Sequence, residues 1–128
     1  MPSESEWEYA ARARTTGDFY ENLDLVAWYV SNSGDKTHPV GQRHPNNFGL
    51  YDMSGNVLEW CEDLFYNDYD GVPNDGSANS KKMVKDFRIS RGASWLNNAK
   101  ELRSANRFWL LPSFRNTNTG FRVVVNAK

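Results

Sequence analysis

The first apolar positions of the chain recur at helical spacing. Trp7, Ala10, Ala11 and Arg14 fall on one side of a helix drawn over residues 3–14. Ser3 stands just before this run with Glu6 three residues on. There the hydroxyl can accept the Glu6 amide while the Glu6 carboxylate returns to the cap. The pattern predicts a helix over 3–14, ended by Thr15, Thr16 and Gly17. Residues 23–29 form a second short apolar segment of one or two helical turns, followed by turn residues at Asn32, Ser33, Gly34 and Asp35. Residues 38–48 read as loop, and residues 66–82, rich in Asn, Asp, Gly and Ser, as a surface excursion. Alternation of apolar and polar positions predicts strands over 87–91, 102–107 and 120–125. The result is an α+β chain with a helix first, strands last, and irregular structure above the usual share. So many loops need internal polar networks or a metal to hold them.

Composition adds the means to build a core. The 128 residues fit one domain spanning 1–128. Aromatic residues make up 14% of the chain and include five Trp, which supply large buried areas despite a mean hydropathy of -0.74. The net charge of -1 gives no broad electrostatic reason to expect nucleic acid or an anionic membrane as partner. Arg88, Arg91, Arg103, Arg107, Arg115 and Arg122 in the last third leave a local basic patch open. No apolar run approaches the roughly 20 residues of a membrane span. The first residues are charged, so no signal peptide is read there. With one cysteine, Cys61, the chain can form neither an intramolecular disulfide nor a cysteine-based zinc site.

Several blocks then carry a resemblance. Pro2 to Arg12 reads PSESEWEYAAR, residues 37–41 THPVG, residues 48–60 FGLYDMSGNVLEW, and residues 90–95 SRGASW; Arg103-Ser104-Ala105 and Gly120-Phe121-Arg122-Val123 follow. In this order they resemble the formylglycine-generating-enzyme-like (sulfatase-modifying factor) domains, and they span nearly all of the chain. The resemblance implies a C-type lectin-like α+β fold rich in irregular loops, without the region that usually precedes the first helix in that family. It further implies that Trp7, Leu50, Trp60, Trp95 and Phe121 are buried together and that 120–125 lies inside a sheet.

The resemblance also implies a structural calcium ion, held by the side chains of Asp52 and Glu59 and the carbonyls of Gly55 and Val57. Carboxylates mixed with carbonyls suit this hard cation, and Gly55 permits the tight turn. The residues equally admit a plain reading in which Asp52 caps a turn and Glu59 pairs with an arginine. Oxidases of the family use two cysteines to hold copper. Those would fall between Trp95 and Arg107, where this chain has none, so the resemblance gives no copper and no oxidase activity. Cys61 reads as a small buried hydrophobe. His38 and His44 have no metal-ligand spacing, and no serine sits in a nucleophile elbow.

The chemistry that remains is recognition. Trp95, Leu96, Asn97, Asn98, Asn106, Phe108, Trp109, Leu110, Leu111, Phe114, Asn116 and Asn118 mix aromatic, aliphatic and amide side chains where a loop between strands is expected. That is the composition of a binding surface, and it is similar to the variable proteins of this family that retroelements diversify. The expectation is a non-enzymatic module with these positions on one face and an unknown protein or surface ligand as partner. The alternative is an accessory or degenerate domain of an enzyme complex. Residues 108–111 equally admit a core or self-association role. The motif of calcium-dependent sugar binding is absent, so no sugar ligand is expected.

Overall fold

A computed structural model describes residues 1–81, 83 and 85–125. Helix α1 spans Glu4–Arg12, and its start is the predicted capping box. The Ser3 hydroxyl accepts the Glu6 amide at 3.1 Å, and the Glu6 carboxylate accepts the Ser3 amide at 2.9 Å. The helix stops earlier than the pattern suggested. Ala13 turns left-handed at φ 45° and returns its N–H to Tyr9. Arg14 therefore leaves the predicted face and is exposed, while Trp7 and Ala11 are buried. Helix α2, Leu23–Val26, is a single turn capped by Asn22.

One sheet carries the rest, in the order β3-β2-β1-β4. Its central strand β1, Leu58–Leu64, lies in the densest motif block, where no strand was predicted. β2, Arg88–Arg91, matches the predicted strand and pairs antiparallel with β1. The predicted strand over 102–107 is a correction. Asn98 caps a 3-10 turn at Ala99–Leu102 with Glu101 closing a capping box, and the Asn106 amide donates to the Glu101 carbonyl at 2.9 Å. Local side-chain caps outcompete a ladder there. The strand forms one step later, as β3 over Phe108–Leu110, where a loop was expected. β4 is only Thr119–Gly120, parallel to β1.

The sheet has two sides with different cargo. The register pairs Ile89 with Trp109 and Glu59 with Arg91, and the facing helix α1 closes a core of Trp7, Ala11, Met53, Cys61 and Ile89. Leu50 packs against this core. Trp60, Ser90 and Phe108 lie side by side in the same register, one residue out of step with the first set, and so belong to the opposite face. A second cluster of Val26, Ala27, Tyr29, Ala93 and Leu102 accepts Phe108 at its edge. The five aromatic and apolar residues expected in one core are thus divided. Trp60 and Trp95 are half-buried, and Phe121 is 69% exposed. Ladder pairing stops at Gly120, and no element among the described residues covers the extended stretch after it.

Polar networks tie the helix to the sheet. Arg91 is fully buried. Its guanidinium donates to Glu4 at 2.7 Å, to Glu8 at 2.5 Å and to the Ser104 carbonyl at 2.6 Å. Arg107 forks onto the same Glu4 carboxylate at 2.7 and 2.9 Å. Burial alone would raise the Glu8 carboxyl; the bonds and charge of Arg91, then Arg12, outweigh it and hold it below the usual carboxylate range. The arginines left open as a basic patch are engaged within the chain. Arg88 donates to the Glu62 carbonyl, Arg103 to Lys100 and Arg115 to Pro112 and Phe114, while Arg122 pairs with Glu59.

Two glycines set the approach of the layers. Gly92, at φ 89°, lies where a Cβ would sit 3.0 Å from the Trp7 ring. Gly55, at φ 76°, lies against the Trp28 backbone, and a Cβ there would meet the Trp28 carbonyl oxygen at 2.2 Å. Close approach, more than turn geometry, therefore explains Gly55. Gly55→Ala should cost about 3 kcal/mol or more, the sum of left-handed strain and overpacking. Gly34→Ala, at φ 65° with open space around it, should cost only about 1–2 kcal/mol. Urea denaturation of the two variants tests this, and equal losses would refute the close approach.

Candidate functional site

Residues 52–59 wrap one small cavity of about 380 Å³, bordered by Gly41, Asp52, Gly55, Val57, Glu59 and Arg122 among others. The four positions implied for calcium are therefore brought together. Asp52 is buried with left-handed φ 57°. One of its oxygens accepts the Gly41 amide at 2.8 Å, and the other is buried without a partner. Asn56 clamps the neighbouring loop: its side chain accepts the His38 amide at 2.9 Å and donates to the His38 carbonyl at 3.0 Å. Its backbone bridges Trp28 and Trp95 at 2.8 and 2.9 Å.

Glu59 decides the chemistry of the cavity. Arg122 forks onto its carboxylate, Nε to Oε2 and Nη2 to Oε1, both at 2.6 Å, and the Trp7 indole donates to Oε2 at 2.7 Å. Calcium takes six to eight oxygens. Here both oxygens of the main candidate carboxylate are already filled by N–H donors. The Glu59 carboxylate is thus committed to Arg122 and Trp7, while one oxygen of Asp52 is left without a partner. The pairing of Glu59 with an arginine, the plainer of the two sequence readings, is the geometry found. Arg122, named from the sequence only within a possible basic patch, and Asn56 were not assigned to this site; their signal was only their place inside the GFRV and SGNVLEW blocks.

The C-terminal positions separate into frame and surface. Asn97 accepts the amide and hydroxyl of Ser94 at 2.9 and 2.7 Å. Asn98 caps the 3-10 turn, Asn106 holds its far end, and Asn118 donates to the Ser94 hydroxyl at 3.2 Å. Trp95 is half-buried, with its indole donating to Thr117 at 3.4 Å. Phe108 and Leu110 are half-buried. Exposed are Leu96 at 56%, Trp109 at 48%, Leu111 at 40%, Phe114 at 52%, and Asn116. Trp109 sits on the α1 side of the sheet and stacks on Phe65 at 4.3 Å, whereas Pro112, in the segment crossing from β3 to β4, lies with Trp60 and Arg88 on the other side.

The Cys61 thiol is buried and pushed up by that burial, so it stays protonated. The Tyr20 phenol is likewise pushed up, to about 12, chiefly by burial. His38 stacks on Trp28 at 3.7 Å with its Nε2 against the Ser33 carbonyl at 2.6 Å, a packed role. His44 is exposed.

Comparison with known proteins agrees with this architecture. The model of the "Sulfatase-modifying factor enzyme 1-like domain" matches residues 1–127. The chain is 34% identical to the serine/threonine-protein kinase pkn1 of Chlamydia caviae over 100% of its own length and 21% of that protein. It is 30% identical to the inactive C-alpha-formylglycine-generating enzyme 2 of Mus musculus, over 99% of its length and 43% of that protein. Among solved structures, Treponema denticola variable protein 1 superposes with a TM-score of 0.85 at 37% identity, covering 94% of this chain and 45% of that one. The chain thus spans less than half of each of these relatives. Its fold is the C-type lectin-like α+β fold of these proteins, and the chain belongs to the sulfatase-modifying factor family.

Proposed function

We propose that this domain is a non-enzymatic ligand-binding module whose C-terminal segment presents the recognition surface, as in the retroelement-diversified variable proteins. One observation carries the reading: the segment is held by its own amides while some of its large apolar side chains stand in solvent. Asn97, Asn98, Asn106 and Asn118 hold backbone or neighbouring side chains, whereas Leu96, Leu111 and Phe114 are exposed. Apolar side chains that give nothing to the core yet sit on an ordered frame are what a binding surface needs. The likeness to Treponema denticola variable protein 1 supports it. So does the lack of a second cysteine, because the copper chemistry of the oxidases needs a thiolate pair. The partner class we favour is a protein or other surface ligand. No helix among the described residues is long and apolar enough to cross a membrane.

The division into frame and surface is testable without the ligand. Variants randomised at Leu96, Leu111, Phe114 and Asn116 should mostly melt like the parent, since exposed substitutions usually fall within about 0.5 kcal/mol. Variants randomised at Asn97, Asn98, Asn118 and Phe108 should mostly lose stability, at about 1 kcal/mol or more for each lost cap or buried contact. Thermal melting of the two libraries decides, and equal tolerance would remove the basis for a displayed surface. The catalytic alternative has its own check: incubation with a sulfatase-type cysteine peptide, with and without copper, should give no oxidised product. Turnover above buffer would show that a cysteine pair is not needed and that the module is an enzyme.

A further inference from the structure

Beyond Gly120 the chain is apolar and has no neighbour. Phe121 is 69% exposed, Val123 77% and Val125 90%, with Val124 at 45%. Side chains alternate along an extended backbone, so Phe121, Val123 and Val125 line one side. The cause lies at β1. The Leu58 amide donates to the Asn118 carbonyl at 2.8 Å, but the Glu62 amide, on the same edge of the strand, donates to the Pro2 carbonyl at 2.9 Å. Residue 2 thus takes the next place on that edge, and 121–125 leave the sheet. Among the described residues no main-chain hydrogen bond reaches 121–125. We propose that a second copy of this chain covers the stretch: two 121–125 segments pair antiparallel about a two-fold axis at Val123, making a dimer.

The stretch is complementary to itself. Antiparallel pairing centred on Val123 sets that residue against its own copy and Phe121 against Val125, apolar against apolar at each outward position. No like charges meet. The one charge of the stretch, Arg122, is turned inward and forks onto Glu59. Proteins keep bare strand edges apart with outward charge or proline, and this edge has neither. Phe121, Val123 and Val124 also border a groove of about 420 Å³ against Pro2, Trp7, Ala10 and Met53. Its apolar wall gives a second copy's side chains a place to lodge. The four exposed side chains present on the order of 400 Å² of apolar surface, enough to mark a contact face. Counted on both copies and with the groove, the contact reaches on the order of 1,000 Å², the lower end for a specific interface. A dimer of that size dissociates on dilution. The face is separate in sequence from Leu96, Leu111 and Phe114, so the dimer stands or falls independently of the recognition surface.

Sedimentation velocity of the whole chain over a concentration series tests it, with thermal melting as the check on folding. Wild type should pass from monomer to dimer across the micromolar range. Val123→Lys sets two like charges face to face and should weaken the dimer about 100-fold or more. Its melting temperature at low concentration should match the parent, since the position is exposed. Should Val123→Lys melt low, Val125→Lys, at the more exposed position, carries the same test and should also weaken the dimer. Phe114→Lys should leave the dimer intact. Val123→Cys should give a disulfide-linked dimer on mild oxidation, because the two-fold brings the position against its own copy. A wild type that stays monomeric throughout the series overturns the dimer. A dimer that both lysine variants retain, that Phe114→Lys abolishes, or that Val123→Cys fails to lock is formed elsewhere and equally overturns it.

Discussion

A guanidinium with no exposure to water, that of Arg91, sits where the helix meets the sheet, and much of the architecture follows from satisfying it. A lone buried charge would cost several kcal/mol, so carboxylates must surround it. Glu4 and Glu8 do so from one face of α1, which fixes the helix over β2 in rotation and in height. Glu4 is shared with Arg107, so the same carboxylate also anchors the approach to β3. Such a network gains little net stability over an apolar core of the same shape. It gains a single arrangement, because a helix rotated by one residue would strand a charge.

The pairing of Glu59 with Arg122 repeats this logic on the same side of the sheet. It draws the end of β4 towards Trp7 and the 52–59 turn. Side-chain amides then do for the loops what ladders do for strands. Asn56 clamps the loop at His38, and Asn46 donates to Ala10 and Ala11 at the end of α1. Asn79, held by Asp63 and Leu64, closes the base of the loop over 66–78. A chain with few residues in strands is thereby held as one frame, and a frame of that kind can carry exposed apolar side chains without unfolding.

Much of this was legible in the sequence. The capping box and the Trp7–Ala11 face set α1 locally, and the order of motif blocks gave the family and the fold. The misreadings share a cause, which is that partners distant in sequence decide the outcome. Residues 102–107 alternate like a strand, but Asn98, Glu101 and Asn106 build a 3-10 turn from local caps. Phe108 to Leu110 looked like display and became a strand because β2 offers an edge. Phe121 looked like core, yet pairing ends at Gly120. At the candidate site the sequence supplied Asp52, Gly55, Val57 and Glu59 as neighbours. Only the fold places Arg122, 63 residues away, on the Glu59 carboxylate. Nor could spacing reveal that Asn97 and Asn118 serve the frame while Leu96 and Phe114 do not.

Loops held this way should be as rigid as the sheet. Amide hydrogen exchange can show it, because exchange reports the opening of individual bonds. The N–H groups of Gly55, Asn56, Leu58 and Trp95 donate to Gly92, Trp28, Asn118 and Asn56, contacts that exist only if the loops are fixed. Their protection should match that of amides within the β1–β2 ladder to about an order of magnitude, as expected for one cooperative unit. Rapid exchange at Gly55, Asn56 and Trp95, with protection confined to the ladder, would contradict it.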